Sequence, residues 1–147
     1  MELDKDFNEF VASFIEHDVR FLIVGGYALA AHGQPRATGD LDAWVWTDET
    51  NAKRILDALS QFGFGELGMT VADFSRPDSV IQLGFPPYRI DILTSIDGVE
   101  FDGAWDRRVM ISLNGRDVPF ISLEDLIANK SAAGRPQDIA DVKRLTE

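Results

Sequence analysis

The sequence predicts a single domain of the α/β or α+β class, built on a mixed sheet flanked by helices. Three observations carry that prediction. Amphipathic helical segments alternate with short apolar runs of strand length. A glycine pair, Gly25-Gly26, joins one such run to an Ala-rich helical stretch. A second pair, Asn114-Gly115, separates two further runs and is the strongest short hairpin signal in the chain. The 147 residues suffice for one good core, so residues 1–147 read as one domain.

The elements follow in order. Phe7, Phe10, Val11, Phe14 and Ile15 recur at helical spacing and predict an amphipathic helix over 4–17. Phe21 to Val24 is a buried strand. Gly25-Gly26 turns the chain, Tyr27 to Ala31 forms a short helix, and Gly33 ends it. Residues 34–39 are a loop, and Leu41 to Trp46 is the second strand. Thr47 or Asp48 caps a helix running to about Gln61, with Ile55, Leu56 and Leu59 inward. Between Phe62 and Asp78 the glycines and Pro77 suggest a turn, with a short strand near Met69 to Val71. Val80 to Phe85 and Tyr88 to Leu93 are strands around a Pro86-Pro87 turn. Val109 to Leu113 and Val118 to Ile121 flank the Asn-Gly hairpin. Ser122 to Asp125 resembles a capping box and opens a helix through Ala133; Gly134 ends it, and Pro136 begins a last helix over 136–146.

Composition narrows the function. A hydrophobic fraction of 45% and a charged fraction of 27% are those of an ordinary soluble globular protein. With no cysteine, disulfides and thiolate metal sites are excluded. A formal charge of −11 argues against bulk binding of nucleic acid or anionic membrane, because both need clustered Lys and Arg. The first six residues are acidic and lack the basic and apolar regions of a signal peptide. No apolar run approaches the roughly 20 residues of a membrane span, and the expected location is the cytoplasm.

Charges inside strand-like runs are costly to bury unless something pairs with them. Asp40 and Asp42 open the second strand and project to one face, with Leu41 on the other. In the later strand Arg89, Asp91 and Leu93 share a face, with Ile90 and Ile92 opposite. If the two strands are neighbours, Asp91 completes a triad with Asp40 and Asp42. Such a carboxylate set suits Mg²⁺, with room for two ions bracketing a phosphate chain. The Gly25-Gly26 turn exposes backbone N–H groups at a helix start and lets the backbone approach a phosphate. The combination points to phosphoryl- or nucleotidyl-transfer chemistry.

These residues carry a resemblance. Val24 to Gly33, followed by Pro35 to Asp42, resembles the signature of the polymerase-β-like nucleotidyltransferase superfamily. It is most similar to small bacterial nucleotidyltransferase-like proteins and to antibiotic nucleotidyltransferase catalytic domains. Leu126 to Lys130, then Gly134 to Asp138 and Asp141, resembles their closing helices. The resemblance implies a nucleoside triphosphate bound with Mg²⁺ and an NMP group moved to an acceptor hydroxyl, with pyrophosphate released. It implies that Gly25 and Gly26 contact phosphate, that Asp40 and Asp42 hold metal, and that Asp91 is the third carboxylate ligand. A common pattern has Ser after the first glycine; Gly26 stands there instead, so phosphate must be gripped by backbone N–H or from elsewhere.

Several residues admit two roles at this stage. Arg36 and Thr38 contact phosphate or stabilise their loop. Lys130 reaches the triphosphate or is a solvated helix lysine. Arg135 pairs with Asp138 or Asp141, or touches ligand. His32 is a capping or structural residue rather than a base. Tyr27 stacks on a nucleobase or packs in the core, and Trp44 and Trp46 read as core or partner-facing residues. The acceptor is a small molecule or a protein hydroxyl, and a homodimer or partner chain would supply a missing acceptor wall. The alternative to catalysis is a binding module of the same fold, such as an antitoxin that neutralises a partner protein.

Overall fold

The computed structural model describes residues 3–34, 39–64, 67–84 and 88–147. The expected Arg36 and Thr38 contacts and the Pro86-Pro87 turn lie outside these residues. The chain begins with helix α1 (Lys5–Glu16), capped by the Asp4 carboxylate, which accepts from the Asp6 N–H. Strand β1 (Phe21–Val24) follows, and helix α2 (Gly25–Ala31) starts on the first glycine rather than on Tyr27. Strand β2 spans Asp40–Val45, and helix α3 (Glu49–Phe62) is capped by Asp48. Strands β3 (Val80–Leu83) and β4 (Arg89–Leu93) come next. The Asn-Gly hairpin is present as β5 (Val109–Leu113) and β6 (Arg116–Phe120).

Two segments differ from the sequence reading. The short strand expected near Met69 to Val71 is instead the start of a helix, α4 (Val71–Ser75). Thr70 and Asp73 form a capping box, with the Thr70 N–H donating to Asp73 Oδ2 at 2.7 Å. That local pairing outweighs the β preference of Thr70 and Val71. Helix α5 (Phe101–Asp106) has no counterpart in the sequence reading. It is too short for a periodic signal, and Gly103 interrupts it. Helices α6 (Leu123–Ala133) and α7 (Pro136–Leu145) close the chain where expected.

The six strands form one mixed sheet in the order β3-β4-β2-β1-β6-β5. The central β2 pairs antiparallel with β1 and parallel with β4. One face carries Leu41, Ala43, Val45, Ile90 and Ile92, all buried. The aromatic residues of α1 pack on that side: Phe14 meets Phe21 edge-on at 5.5 Å and lies 4.2 Å from Phe10. Ser13 ties α1 to α3 through a 2.8 Å hydrogen bond to the Ala58 carbonyl. The other face of β2 and β4 carries Asp40, Asp42, Trp44, Arg89, Asp91 and Leu93. Trp44 is buried there, edge-on to Phe101 of α5 at 5.0 Å. The sheet therefore has an apolar face that supplies the core and an acidic stretch on its opposite face.

Candidate active site

The parallel register of β2 and β4 sets the geometry. Asp42 stands directly opposite Asp91, and Asp40 directly opposite Arg89. Strands lie about 4.8 Å apart, so Asp42 and Asp91 form a like-charge cross-strand pair, which is destabilising unless a cation joins it. On the other side of β2, Val24 pairs with Asp42 and brings the β1–α2 turn alongside. Gly25 has a left-handed φ of +67°, and a Cβ there would collide with the Asp42 carboxylate. Glycine at this position is what lets the backbone pass beneath Asp42. Asp40, Asp42, Asp91 and Gly25 thus occupy neighbouring positions on β2, β4 and the β1–α2 turn. Gly26 follows in the first turn of α2.

Arg89 supplies a cation within this group. Its Nε donates to Asp91 Oδ1 at 2.8 Å, and its Nη2 donates to Asp40 Oδ2 at 2.9 Å and Asp91 Oδ2 at 3.1 Å. The bond to Asp91 holds the guanidinium charged. Asp42 receives no hydrogen bond from the described residues. Burial, then the Asp91 and Asp40 charges, push its carboxyl up to about 6, against the milder opposing pull of Arg89 and Lys130. Asp91 is buried, not solvent-facing, whereas the Asp40 side chain is 40% exposed.

A cleft of about 400 Å³ opens beside Asp42. Val24, Gly25 and Asp42 form one wall, and Leu93, Ser95, Ile96 and Asp97 continue from the end of β4. Asn129, Lys130 and Ala133 of α6, with Arg135 and Asp138, form the other. Lys130 is buried, so the solvated-surface alternative fails. Its Nζ donates to Asp141 Oδ2 at 2.8 Å and lies 3.6 Å from Asp138 Oδ1. Arg135 pairs with Asp138, its Nε donating at 2.6 Å, and this bond holds the Asp138 carboxyl below its usual range. Both α7 carboxylates are buried, so α7 acts as the counter-ion that lets a lysine sit inside the α6 wall.

Other expected residues fall outside the chemistry. His32 Nε2 lies 2.8 Å from the Ile121 carbonyl, a structural bond. The Tyr27 ring packs edge-on to Phe7 at 5.9 Å. Trp44 and Trp46 both lie against Phe101 in the core. A second hollow of about 360 Å³, lined by Arg20, Arg54, Trp105 and Arg108, contains none of the three carboxylates.

Three carboxylates, the donor type that hard divalent cations take, stand on one face of two adjacent strands. Among the described residues, no three His, Cys, Asp or Glu side chains converge on one metal-sized point. Sequence reasoning assigned no role to Arg89, and gave the α7 carboxylates only a pairing with Arg135. The signal for Arg89 was its place two residues before Asp91, on the same strand face. For Lys130 it was the Lys-to-Asp spacing across the α6–α7 corner.

A family model described as "Nucleotidyltransferase of unknown function (DUF6036)" matches residues 1–146. No curated protein matches the chain by sequence. Among solved structures, a nucleotidyltransferase candidate from Thermotoga maritima superposes with a TM-score of 0.61 at 18% identity, covering 95% of this chain and 89% of that one. A lincosamide antibiotic adenylyltransferase, solved with lincomycin bound, gives 0.56 at 15% identity, covering 99% and 98%. An antigenic nucleotidyltransferase-like protein from Paracoccidioides brasiliensis gives 0.54 at 18%, covering 95% and 74%. At these identities the likenesses establish the fold. No described helix is long and apolar enough to cross a membrane.

Proposed function

Because the chain belongs to the DUF6036 nucleotidyltransferase family, we propose that it moves an NMP group from a nucleoside triphosphate to the hydroxyl of an acceptor. The observation that carries this reading is the Asp42–Asp91 cross-strand pair, flanked by Asp40 and seated against Gly25 at the cleft. Few structural needs explain like charges placed opposite one another in a sheet. Asp40, Asp42 and Asp91 would hold Mg²⁺, which when bound neutralises phosphate charge and orients the triphosphate.

In the reaction, the acceptor oxygen forms a bond to the α-phosphorus, and the bond from that phosphorus to the pyrophosphate oxygen breaks. The acceptor proton leaves to a carboxylate of the set. Gly25 and Gly26 let backbone N–H groups of the first α2 turn approach the phosphates. Lys130 offers a buried positive charge from the opposite wall, fixed in place by Asp138 and Asp141. Catalysis is then mostly in-line positioning and charge neutralisation. A small-molecule acceptor is supported by the lincosamide enzyme, whose fold has the same extent as this chain.

The test is thermal unfolding with each of the four ribonucleoside triphosphates, with and without Mg²⁺. A native-state ligand at a hundredfold excess over Kd adds about 2.7 kcal/mol of stability. A Mg²⁺-dependent rise in Tm with at least one triphosphate, lost in Asp91→Asn, is expected. No rise with any of the four would overturn the reading.

A further inference from the structure

Resting on the metal-dependent reading above, we propose that Arg89 is the resident counter-ion of the carboxylate set, and that a divalent cation engages Asp91 and Asp40 only by displacing its guanidinium.

The argument starts from which oxygens are occupied. Both Asp91 oxygens accept from Arg89, one from Nε and one from Nη2. The same Nη2 reaches Asp40 Oδ2. Three charge-assisted bonds of 2.8–3.1 Å therefore fall on two of the three carboxylates. The third, Asp42, accepts none from the described residues, and it alone of the three lines the cleft. This division accounts for the absence of a converging acidic triad among the described residues. It also leaves Asp42 as the carboxylate of the three without an Arg89 bond.

A guanidinium and a divalent ion compete for these oxygens: the Arg89 bonds take one lone pair of each, and its charge repels an ion approaching the rest. Mg²⁺ and Mn²⁺ need carboxylate oxygens at close to 2 Å in octahedral geometry. Arg89 is anchored on β4 and only half-buried, with its side chain 25% exposed, so it has solvent to swing into without disturbing the strand. The pairing has a structural use as well. In a chain of net charge −11, it holds a like-charge strand pair together before any ion arrives. Lysine would do this less well, because its single ammonium cannot fork across Asp91 while also reaching Asp40.

The experiment measures Mn²⁺ binding by calorimetry and by the EPR signal of free Mn²⁺, on wild type, Arg89→Gln and Arg89→Lys, with no nucleotide present. Arg89→Gln should bind Mn²⁺ at least tenfold more tightly than wild type, with Arg89→Lys between them. The Arg89→Gln protein without metal should melt several degrees lower and recover on adding Mn²⁺. In ¹⁵N-labelled wild type, the slowly exchanging Arg89 Nε–H resonance should be lost on saturation with Mg²⁺. Equal or weaker Mn²⁺ binding in both variants, or an Nε–H signal unchanged at saturating Mg²⁺, would overturn the displacement model while leaving the metal site standing. Failure of all three proteins to bind Mn²⁺ would overturn the metal reading together with it.

Discussion

Replacing Asp42 with Asn should make the metal-free protein more stable, and by an amount that depends on pH. In the fold, the Asp42 carboxyl is pushed from 3.8 to about 6, first by burial and then by Asp91 and Asp40. A folded-state pKa above the unfolded value means that the native protein holds a proton the unfolded chain has released. Stability from this group is therefore fully present below about pH 4 and lost as pH rises through 6. Two units at 1.36 kcal/mol each bound the loss at about 3 kcal/mol; partial exposure of Asp42 brings the expectation to about 2 kcal/mol. Asparagine does not titrate and avoids the loss. The stability gap between variant and wild type should be near zero below about pH 3.5, open as pH rises through 4 to 6, and approach about 2 kcal/mol at pH 8. For a domain of this size that is roughly 4–8 °C in Tm. Urea unfolding followed by tryptophan fluorescence, in the presence of a chelator, measures it directly, and titrations remote from Asp42 cancel in the difference. A gap that stays constant across pH, or a variant less stable than wild type at pH 8, would refute the claim that burial and its neighbours raise the Asp42 carboxyl.

Two further outcomes follow from the packing. Lys130→Met should cost about 3 kcal/mol, because it removes the ammonium bonded to the buried Asp141 while Asp138 keeps Arg135, and chemical denaturation reads that loss. Ser122→Ala removes the cap whose Oγ accepts from the Asp125 N–H, and should cost about 1 kcal/mol by the same measurement, without changing triphosphate binding.

Much of this architecture was legible because the signals are local. Apolar spacing located α1 and α3, and Asn114-Gly115 located the β5–β6 hairpin. The Gly25, Asp40, Asp42 and Asp91 cluster was legible as far as strand alternation reaches, which fixes faces. Alternation does not fix register, and the placing of Asp42 opposite Asp91 comes from a parallel pairing between distant segments. Arg89 was visible on the correct face, but its choice of Asp40 and Asp91 over Asp42 depends on that same register. Lys130 read equally as a triphosphate contact or a solvated helix lysine because its own helix is weakly amphipathic; its burial is decided by carboxylates contributed from α7. Helices α4 and α5 escaped because a single turn or two carries no period, and α4 starts on the Thr70–Asp73 bond rather than on composition.

The fit of Gly25 under Asp42 has a consequence for anyone building sequence libraries of this protein. Position 25 is barred to other residues twice, once by its left-handed backbone and once by the carboxylate that a Cβ would strike. Only the second bar depends on another residue. In an Asp42→Ala background, Gly25→Ala should pay the left-handed penalty of about 1–2 kcal/mol and little more, whereas with Asp42 present it must also displace the carboxylate. The two positions are therefore epistatic. A scan that varies residue 25 alone would record it as intolerant, and it would miss that much of the intolerance belongs to residue 42.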